Sequence, residues 1–523
     1  MKQSGSAMLT PLAALALFAS IAWGVALAND VVIQNGRVID PETGLDAIRN
    51  VALADGRIVA ISEFPLQGDT VIDATGHVVS PGFIDLHAHG MSLPDMRMQA
   101  MQGVTTILEL ESGILPVGDW YDQMSEQQTP INYGAAAAWT FSRIAAFTGT
   151  DPLAEASYFQ EAQRLDDWRF DIATAEQFDR IMALVETGLH EGALGIGINA
   201  GYAPGYGQIE YFALAELAKK HGVATFTHTR YISNLEPQSS FEAIKELVGN
   251  AAITGAHMHL CHVNSGSLRQ VERVLDMLDE AQARGVPVTV EAYPYGAGNG
   301  VVGAAIFTTP DDWRERLGSD ASSFQLGADR LTEERLADLQ ANEPGTFVTW
   351  HYLEEDVPED LALLDASIMH PSVLIASDSV FWSYFDEDGS VKMYEGDAWP
   401  LPDNVFSHPR SAGTFAKVLR SYVRERGLLS LNEAIRKMSL MPAQTLEEFV
   451  PQMRKKGRLQ IGMDADIVVF DPATVADRAT YQDSNQPAVG VQTVLVNGGF
   501  VVQDGELVLN APHGEPIRRT VVE

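Results

Sequence analysis

The stretch Pro81-Gly-Phe-Ile-Asp-Leu-His-Ala-His-Gly90 decides how this chain is read. An apolar run from Val78 through Ile84, broken by Pro81 and Gly82, reads as a short buried strand that ends in Asp85, His87 and His89. Side chains at i and i+2 on a strand point to the same side. His87 and His89 therefore present two imidazoles to one point in space. Neutral imidazoles converging at a strand end suit a divalent metal ion such as zinc.

The sequence differs in texture on either side of this stretch. From residue 31 to 79, short apolar strands alternate with turn signals such as Asn35-Gly36 and Asp55-Gly56. The same texture returns in Ile467–Phe470, Val494–Val496 and Phe500–Val502. Two β-rich ends around a long middle predict a small β-sandwich domain formed by residues 29–80 together with 451–523. Residues 81–450 alternate apolar strands with helical stretches such as Tyr211–His221 and Leu268–Arg284. The strand candidates are Thr105–Leu110, Ala135–Phe141, Leu194–Ile198, Ala224–His228, His257–His262, Val288–Ala292, Phe347–Trp350 and Val373–Ala376. This α/β rhythm fits a TIM-like (β/α)8 barrel, whose functional groups sit at the C-terminal ends of the strands. Residues 297–346, rich in Gly, Asp and Glu, interrupt the rhythm and read as an insertion, either a lid over the barrel mouth or a solvated excursion.

The chain has 523 residues, 46% of them hydrophobic, which is enough for a large core. Its 70 acidic and 35 basic residues give a formal charge of −35, which disfavours nucleic acid and anionic membranes as partners. Residues 1–28 read as a cleavable signal peptide: Leu9 to Ala28 is almost wholly apolar and ends Ala26-Leu27-Ala28. That predicts a periplasmic or secreted protein, with an uncleaved anchor as the alternative. No later stretch is long and apolar enough to span a membrane, so no stable membrane insertion is expected once the leader is removed. The single cysteine, Cys261, excludes an intrachain disulfide and reads as a small buried strand residue.

Further chemistry lies at the predicted strand ends. Glu109 and Glu111 are one residue apart and share a face, and a carboxylate there could bridge two metal ions. Glu111 is nearer the C-terminal rim and ranks first. His228 and His262 each terminate a predicted strand, with His257 and His259 as alternatives to the latter. Asp378, after the last strand, can hold a metal and accept a proton from its water.

This set resembles the amidohydrolase superfamily over about residues 31–505: Pro81-Gly-Phe-Ile-Asp-x-His-x-His89, two histidines on separate strands, Ser377-Asp378, and the return segment Gly457 to Asp471. Within it the chain is similar to the D-aminoacylases, the N-acyl-D-amino-acid deacylases. The similarity lies in Gln102–Thr106, Gly192–Gly195, Gly201–Pro204, His228-Thr-Arg230, Glu291–Tyr295, His408-Pro-Arg410 and Gly413–Gly427. It implies one or two zinc-like ions held by His87, His89, Glu111 or Glu109, His228, His262 and Asp378. It also implies a small-molecule substrate carrying an acylated amine and a carboxylate. The chain departs from the family pattern at Ser112, where a bridging cysteine is usual, and at Asn264, where a lysine is common. Glu109-x-Glu111 is similar to the D-glutamate subgroup. Arg230 and Arg410 follow strand ends and could grip a carboxylate. Tyr202, Tyr293 and Tyr295 could orient substrate or oxyanion. A dipeptidase, a cyclic amidase, a lactonase or an inactive binding barrel remain open alternatives.

Overall fold

The computed structural model describes Met1, residues 29–309 and residues 311–522. Apart from Met1, the predicted leader lies outside the described residues. Among the described residues, no helix is long and apolar enough to cross a membrane.

The opening stretch splits where Pro81 and Gly82 interrupt it. Val78–Pro81 pairs with Ile467–Phe470 and with Val31–Asp40 in an outer sheet, while Phe83–Asp85 begins the barrel. Gly82 is needed at this crossing, because a Cβ there would lie 2.3 Å from the Thr105 side chain. The two parts of the run therefore serve two cores.

We number the barrel strands β1 (Phe83–Asp85), β2 (Val104–Ile114), β3 (Asn132–Ala138), β4 (Gly195–Asn199), β5 (Ala224–His228), β6 (His257–Leu260), β7 (Val288–Ala292) and β8 (Val373–Ile375). They pair in chain order, each parallel to the next. The seam between β8 and β1 closes beyond the strands through a bridge of Ala88 to Ser379, with the His89 amide donating to the Ser379 carbonyl at 2.8 Å. Helices wrap the barrel because their apolar positions recur at helical spacing. In Ala175–His190, Ile181, Val185, Gly188 and Leu189 are buried, and Thr174 caps the first turn in a capping box with Gln177. The outer sheet joins both chain ends in nine strands around Ile33, Val51, Ile58, Ile467 and Val469. The architecture is thus a (β/α)8 barrel with a β domain built from the two termini.

Three local readings change. Asn35-Gly36 is a bulge inside one long strand, Val31–Asp40, not a turn between two; Asn35 takes the left-handed conformation and the register shifts there. Asp55-Gly56 does make the expected hairpin turn. Phe347–Trp350 is not a barrel strand. It pairs antiparallel with Ala297–Val301 and Phe324–Leu326 in a four-stranded sheet of the insertion. Finally, β6 stops at Leu260, and His262 follows in a left-handed conformation at φ 30°. A second small sheet, Ser383–Phe385 with Val391–Met393 and Val405–Phe406, follows β8 and was not foreseen.

Under β8, Lys437 is buried and donates to the carbonyls of His370 and Val373. Burial lowers its pKa from 10.5 to about 7. The folded pKa lies below the unfolded one, so between them the unfolded chain holds more protons and stability rises with pH, by at most about 1.4 kcal/mol per unit. Denaturant titrations at about pH 7 and pH 9 should show this rise in the wild type and a smaller one in Lys437→Met.

Candidate active site

Six side chains at the C-terminal rim form two groups of converging ligand atoms. In one, atoms of His87, His89 and Asp378 lie within 4.8 Å of one another; in the other, atoms of Glu111, His228 and His262 do. His87 and His89 stand just past β1, and their Nε2 atoms are 3.1 Å apart. His262 Nε2 is 3.1 Å from His228 Nδ1. Glu111 spans the groups. Its Oε2 lies 3.3 Å from His87 Nε2 and 3.6 Å from His89 Nε2, while its Oε1 lies 3.4 Å from His228 Nδ1 and 2.7 Å from His262 Nε2. Oε1 is buried, yet no hydrogen bond reaches it. Lone-pair atoms crowded this closely, with Oε1 unpartnered among the described residues, fit a donor set for cations, and imidazole and carboxylate donors with no thiolate suit zinc-like ions. A carboxylate with one oxygen facing each group fits a bridge between two ions.

The backbone brings these groups together at some cost. Both His262 and Asp378, at φ 52°, adopt left-handed conformations that residues other than glycine seldom take. Gly201 lets the turn Ala200–Tyr202 pass over His228, since a Cβ would sit 2.6 Å from its Nε2.

At Glu111, Asp378 and His89 burial opposes charge, and the charged partners decide the outcome. Burial would raise Glu111, but His87 and His262 hold it well below the usual carboxylate range. Burial would likewise raise Asp378, but Arg410 and His87 keep it low. Burial would lower His89, but Glu109 and Asp378 push it up to about 10. His228 is lowered by burial.

A supporting layer orients the imidazoles. Glu109 stands behind His89, its Oε2 2.8 Å from Nδ1, and so faces away from both ligand groups. Glu291 of β7 does the same for His87 at Nδ1, and its other oxygen lies 3.0 Å from His259 Nε2. Thr289 then touches both His259 and His257 at 2.8 Å. His257 and His259 thus belong to the barrel interior, and His262 alone of the three reaches the rim. Glu291 was not singled out as a site residue, although it opens the Glu291–Tyr295 stretch of the family similarity, and His259 was read only as an alternative ligand to His262. Glu291 falls near the end of a predicted strand, as the ligands do, and that position was a further visible signal. Cys261 is buried beside His87 and Glu111, and burial raises its thiol well above the usual range.

The expected substrate-binding residues separate. Tyr202 and Tyr293 line the cavity over the ligand atoms, and the buried Tyr293 hydroxyl has no hydrogen-bond partner among the described residues. Arg410 is wholly buried, 2.8 Å from Asp378, and lies over the Tyr293 ring at 4.8 Å. Arg230 does not line that cavity; it pairs with Glu246 at 3.0 Å and stacks on Tyr206 in a neighbouring pocket. Tyr295 does not reach it either, and packs against His408 and Tyr481 instead. Sequence position after a strand end does not fix where a long side chain turns. At the two family departures, Ser112 Oγ accepts from Asn199 Nδ2 at 2.6 Å, and Asn264 Nδ2 donates to the Tyr293 carbonyl and the Tyr352 hydroxyl. Neither reaches a ligand group.

Comparison with known proteins agrees with this geometry. The model of the Amidohydrolase family matches residues 70–502, and the chain belongs to that family. It is 27% identical over 511 residues to the N-acyl-D-glutamate deacylase of Alcaligenes xylosoxydans xylosoxydans, covering 90% of this chain and 93% of the relative. It is 28% identical to the D-aminoacylase of the same organism, covering 91% and 95%. A crystal structure of D-aminoacylase superposes with a TM-score of 0.74 at 23% identity, covering 94% of this chain and 100% of that one. The N-acyl-D-glutamate deacylase of Bordetella bronchiseptica, complexed with zinc and a phosphonate inhibitor, gives 0.72 at 23% identity, with the same coverage. The protein is an amidohydrolase, a hydrolase of carbon–nitrogen bonds other than peptide bonds.

Glu111→Gln should lose both bound metal, measured by elemental analysis, and at least about 100-fold in activity, because a neutral amide cannot offset two dications. Ser112→Ala should keep its metal and lose only the Asn199 contact, costing about 1 kcal/mol of stability. Normal metal content in Glu111→Gln would remove the bridging role.

Proposed function

We propose that the protein deacylates N-acyl-D-amino acids, with attack by water held between two ligand groups bridged by Glu111. The observation that carries this reading is the Glu111 carboxylate, one oxygen toward His87 and His89 and the other toward His228 and His262, with Asp378 beside it. The similarity to D-aminoacylase and N-acyl-D-glutamate deacylase along nine-tenths of the chain supports the substrate class. His87, His89 and Asp378 would hold one ion, His228 and His262 the other, with Glu111 shared. When bound, zinc-like ions bring the pKa of water toward neutrality and polarise a carbonyl.

The chain's own groups do the rest. Asp378 is ionised at neutral pH, so it can accept a proton from the attacking water. It then returns that proton to the amine as the C–N bond breaks. Arg410 stabilises the ionised form of Asp378 and holds it in place. The unpartnered Tyr293 hydroxyl can donate to the oxygen that gains charge in the tetrahedral state. Burial pushes its pKa up to about 12, so the proton stays available throughout the working range.

The deciding assay offers N-acyl-D-amino acids beside dipeptides, cyclic amides and lactones. Release of free D-amino acid, without comparable turnover of the other classes, is the expected result. Asp378→Asn should lower kcat by about 10²- to 10⁴-fold, the range ascribed to a positioned acid–base group. An unchanged kcat in that variant would remove Asp378 from the mechanism.

A further inference from the structure

The cavity over the ligand groups is small, about 40 Å³, but it joins two larger lobes of opposite electrostatic character. One lobe, of about 230 Å³, shares His89, Glu111, Tyr202 and Asn299 with the site. Its wall is apolar and aromatic, built from Ile114, Trp120, Phe141, Phe159, Phe347 and Phe381. Among the described residues no lysine or arginine lines it, whereas Asp95, Glu109 and Glu155 do. The other lobe, of about 340 Å³, meets the site at Ile232 and Ile306 and carries Arg230 and Arg316. Arg410, the cation nearest the ligand groups, lies on the β7–β8 side against Asp378 and Tyr293, away from the β2–β3 wall of the apolar lobe.

An N-acylated amino acid has one anionic half and one neutral half, divided at the scissile amide. A carboxylate entering the 230 Å³ lobe would face Asp95, Glu109 and Glu155 and an aromatic wall, and among the described residues it would find no lysine or arginine to offset its desolvation beyond the hydroxyls and amides near the ligand groups. The neutral half faces no such penalty. An acetyl group would leave most of that lobe unfilled. The lobe also continues outward. Phe347, Phe381, Met393 and Tyr394 are shared with a surface groove of about 850 Å³, so a chain longer than the lobe has an exit.

We infer that the 230 Å³ lobe is an acyl-binding pocket and that the enzyme acts on amino acids carrying bulky apolar acyl groups, such as medium-chain fatty acyl or arylacetyl groups, in preference to acetyl. This rests on the deacylase reading above and adds the class of acyl group. Each methylene buried against these aromatics should raise kcat/KM by about fourfold until the lobe is full.

The test is a chain-length series, N-acetyl, N-butanoyl, N-hexanoyl and N-octanoyl, on both D-leucine and D-glutamate, with the metal-loaded wild type and with Ala154→Phe. Ala154 lines the lobe, is half-buried and touches no ligand group. The expected result is a kcat/KM that climbs with chain length on both amino acids in the wild type, and a climb cut short in Ala154→Phe while acetyl turnover stays near wild type. Acetyl substrates turned over as well as octanoyl ones by the wild type would overturn the pocket and leave the deacylase reading standing. A climb that Ala154→Phe leaves intact would also overturn it, by placing the acyl chain elsewhere. Absence of cleavage for every member of both series would overturn the deacylase reading, and the acyl pocket with it. The wild-type series alone decides the preference if the variant does not fold.

Discussion

The carboxylate of Asp85 closes the barrel. It is completely buried, and burial pushes its pKa up to about 6 against the pull of its donors. Those donors are the Ser377 amide at 2.9 Å, the Ser377 hydroxyl, the His87 amide at 3.2 Å and the Gln99 side chain at 3.2 Å. Two of the four belong to the segment after β8, and the other two to the segment after β1. Among the described residues the backbones meet at this seam through the Ala88–Ser379 bridge, whose His89 amide donates to the Ser379 carbonyl. A buried carboxylate without such donors would cost several kcal/mol. With them it fixes the register in which His87 and His89 stand opposite Asp378. The first ligand group is therefore a product of barrel closure, not of β1 alone.

The second group depends on charge. Glu111 lies buried among four imidazoles, and His87 and His262 hold its carboxylate well below the usual range although burial alone would raise it, so an anionic oxygen faces each ligand group. The rim holds this arrangement through left-handed backbone at His262 and Asp378, and strain of that kind persists where surrounding packing over-determines the conformation. Glu291 shows how far the support reaches. It links His87 to His259, and through Thr289 to His257 near the start of β6, so the ligands rest on polar contacts that run along the barrel interior.

What the sequence made legible follows the reach of simple periodicity. His87 and His89 could be read because a two-residue spacing places two side chains on one face whatever the surrounding fold. His228, His262 and Asp378 could be read because a barrel puts function at strand ends. The ranking of Glu111 above Glu109 followed from depth along one strand, and the two carboxylates do divide into a bridging position and a supporting one. Periodicity could not say that Phe347–Trp350 belongs to an insertion, since an alternating apolar strand looks the same in either sheet. Nor could it aim Arg230 or Tyr295, whose long side chains leave the strand end in directions set by Glu246, Tyr206 and Tyr481. Glu291 and His259 were obscured for a different reason. Their contacts join β1, β6 and β7, and no spacing within one strand reports a contact between strands.

The overall charge and the local charge of this protein point in opposite directions, and the site lies where they meet. A chain with a formal charge of −35 repels an anionic substrate at long range. Salt screens that repulsion beyond about 8–10 Å, so it shapes approach more than binding. Within a few ångströms the balance depends on which side of the ligand groups a group enters. On the β2–β3 side, carboxylates and aromatic rings leave no place for an anion. On the β7–β8 side, Arg410 is buried against Asp378, and its Nε and Nη1 have no hydrogen-bond partner among the described residues. A substrate of the proposed kind, with charge at one end and hydrocarbon at the other, would be oriented by this difference before chemistry begins. Asp378, held by Arg410 at the boundary between the two sides, stands where the scissile bond of such a substrate would lie.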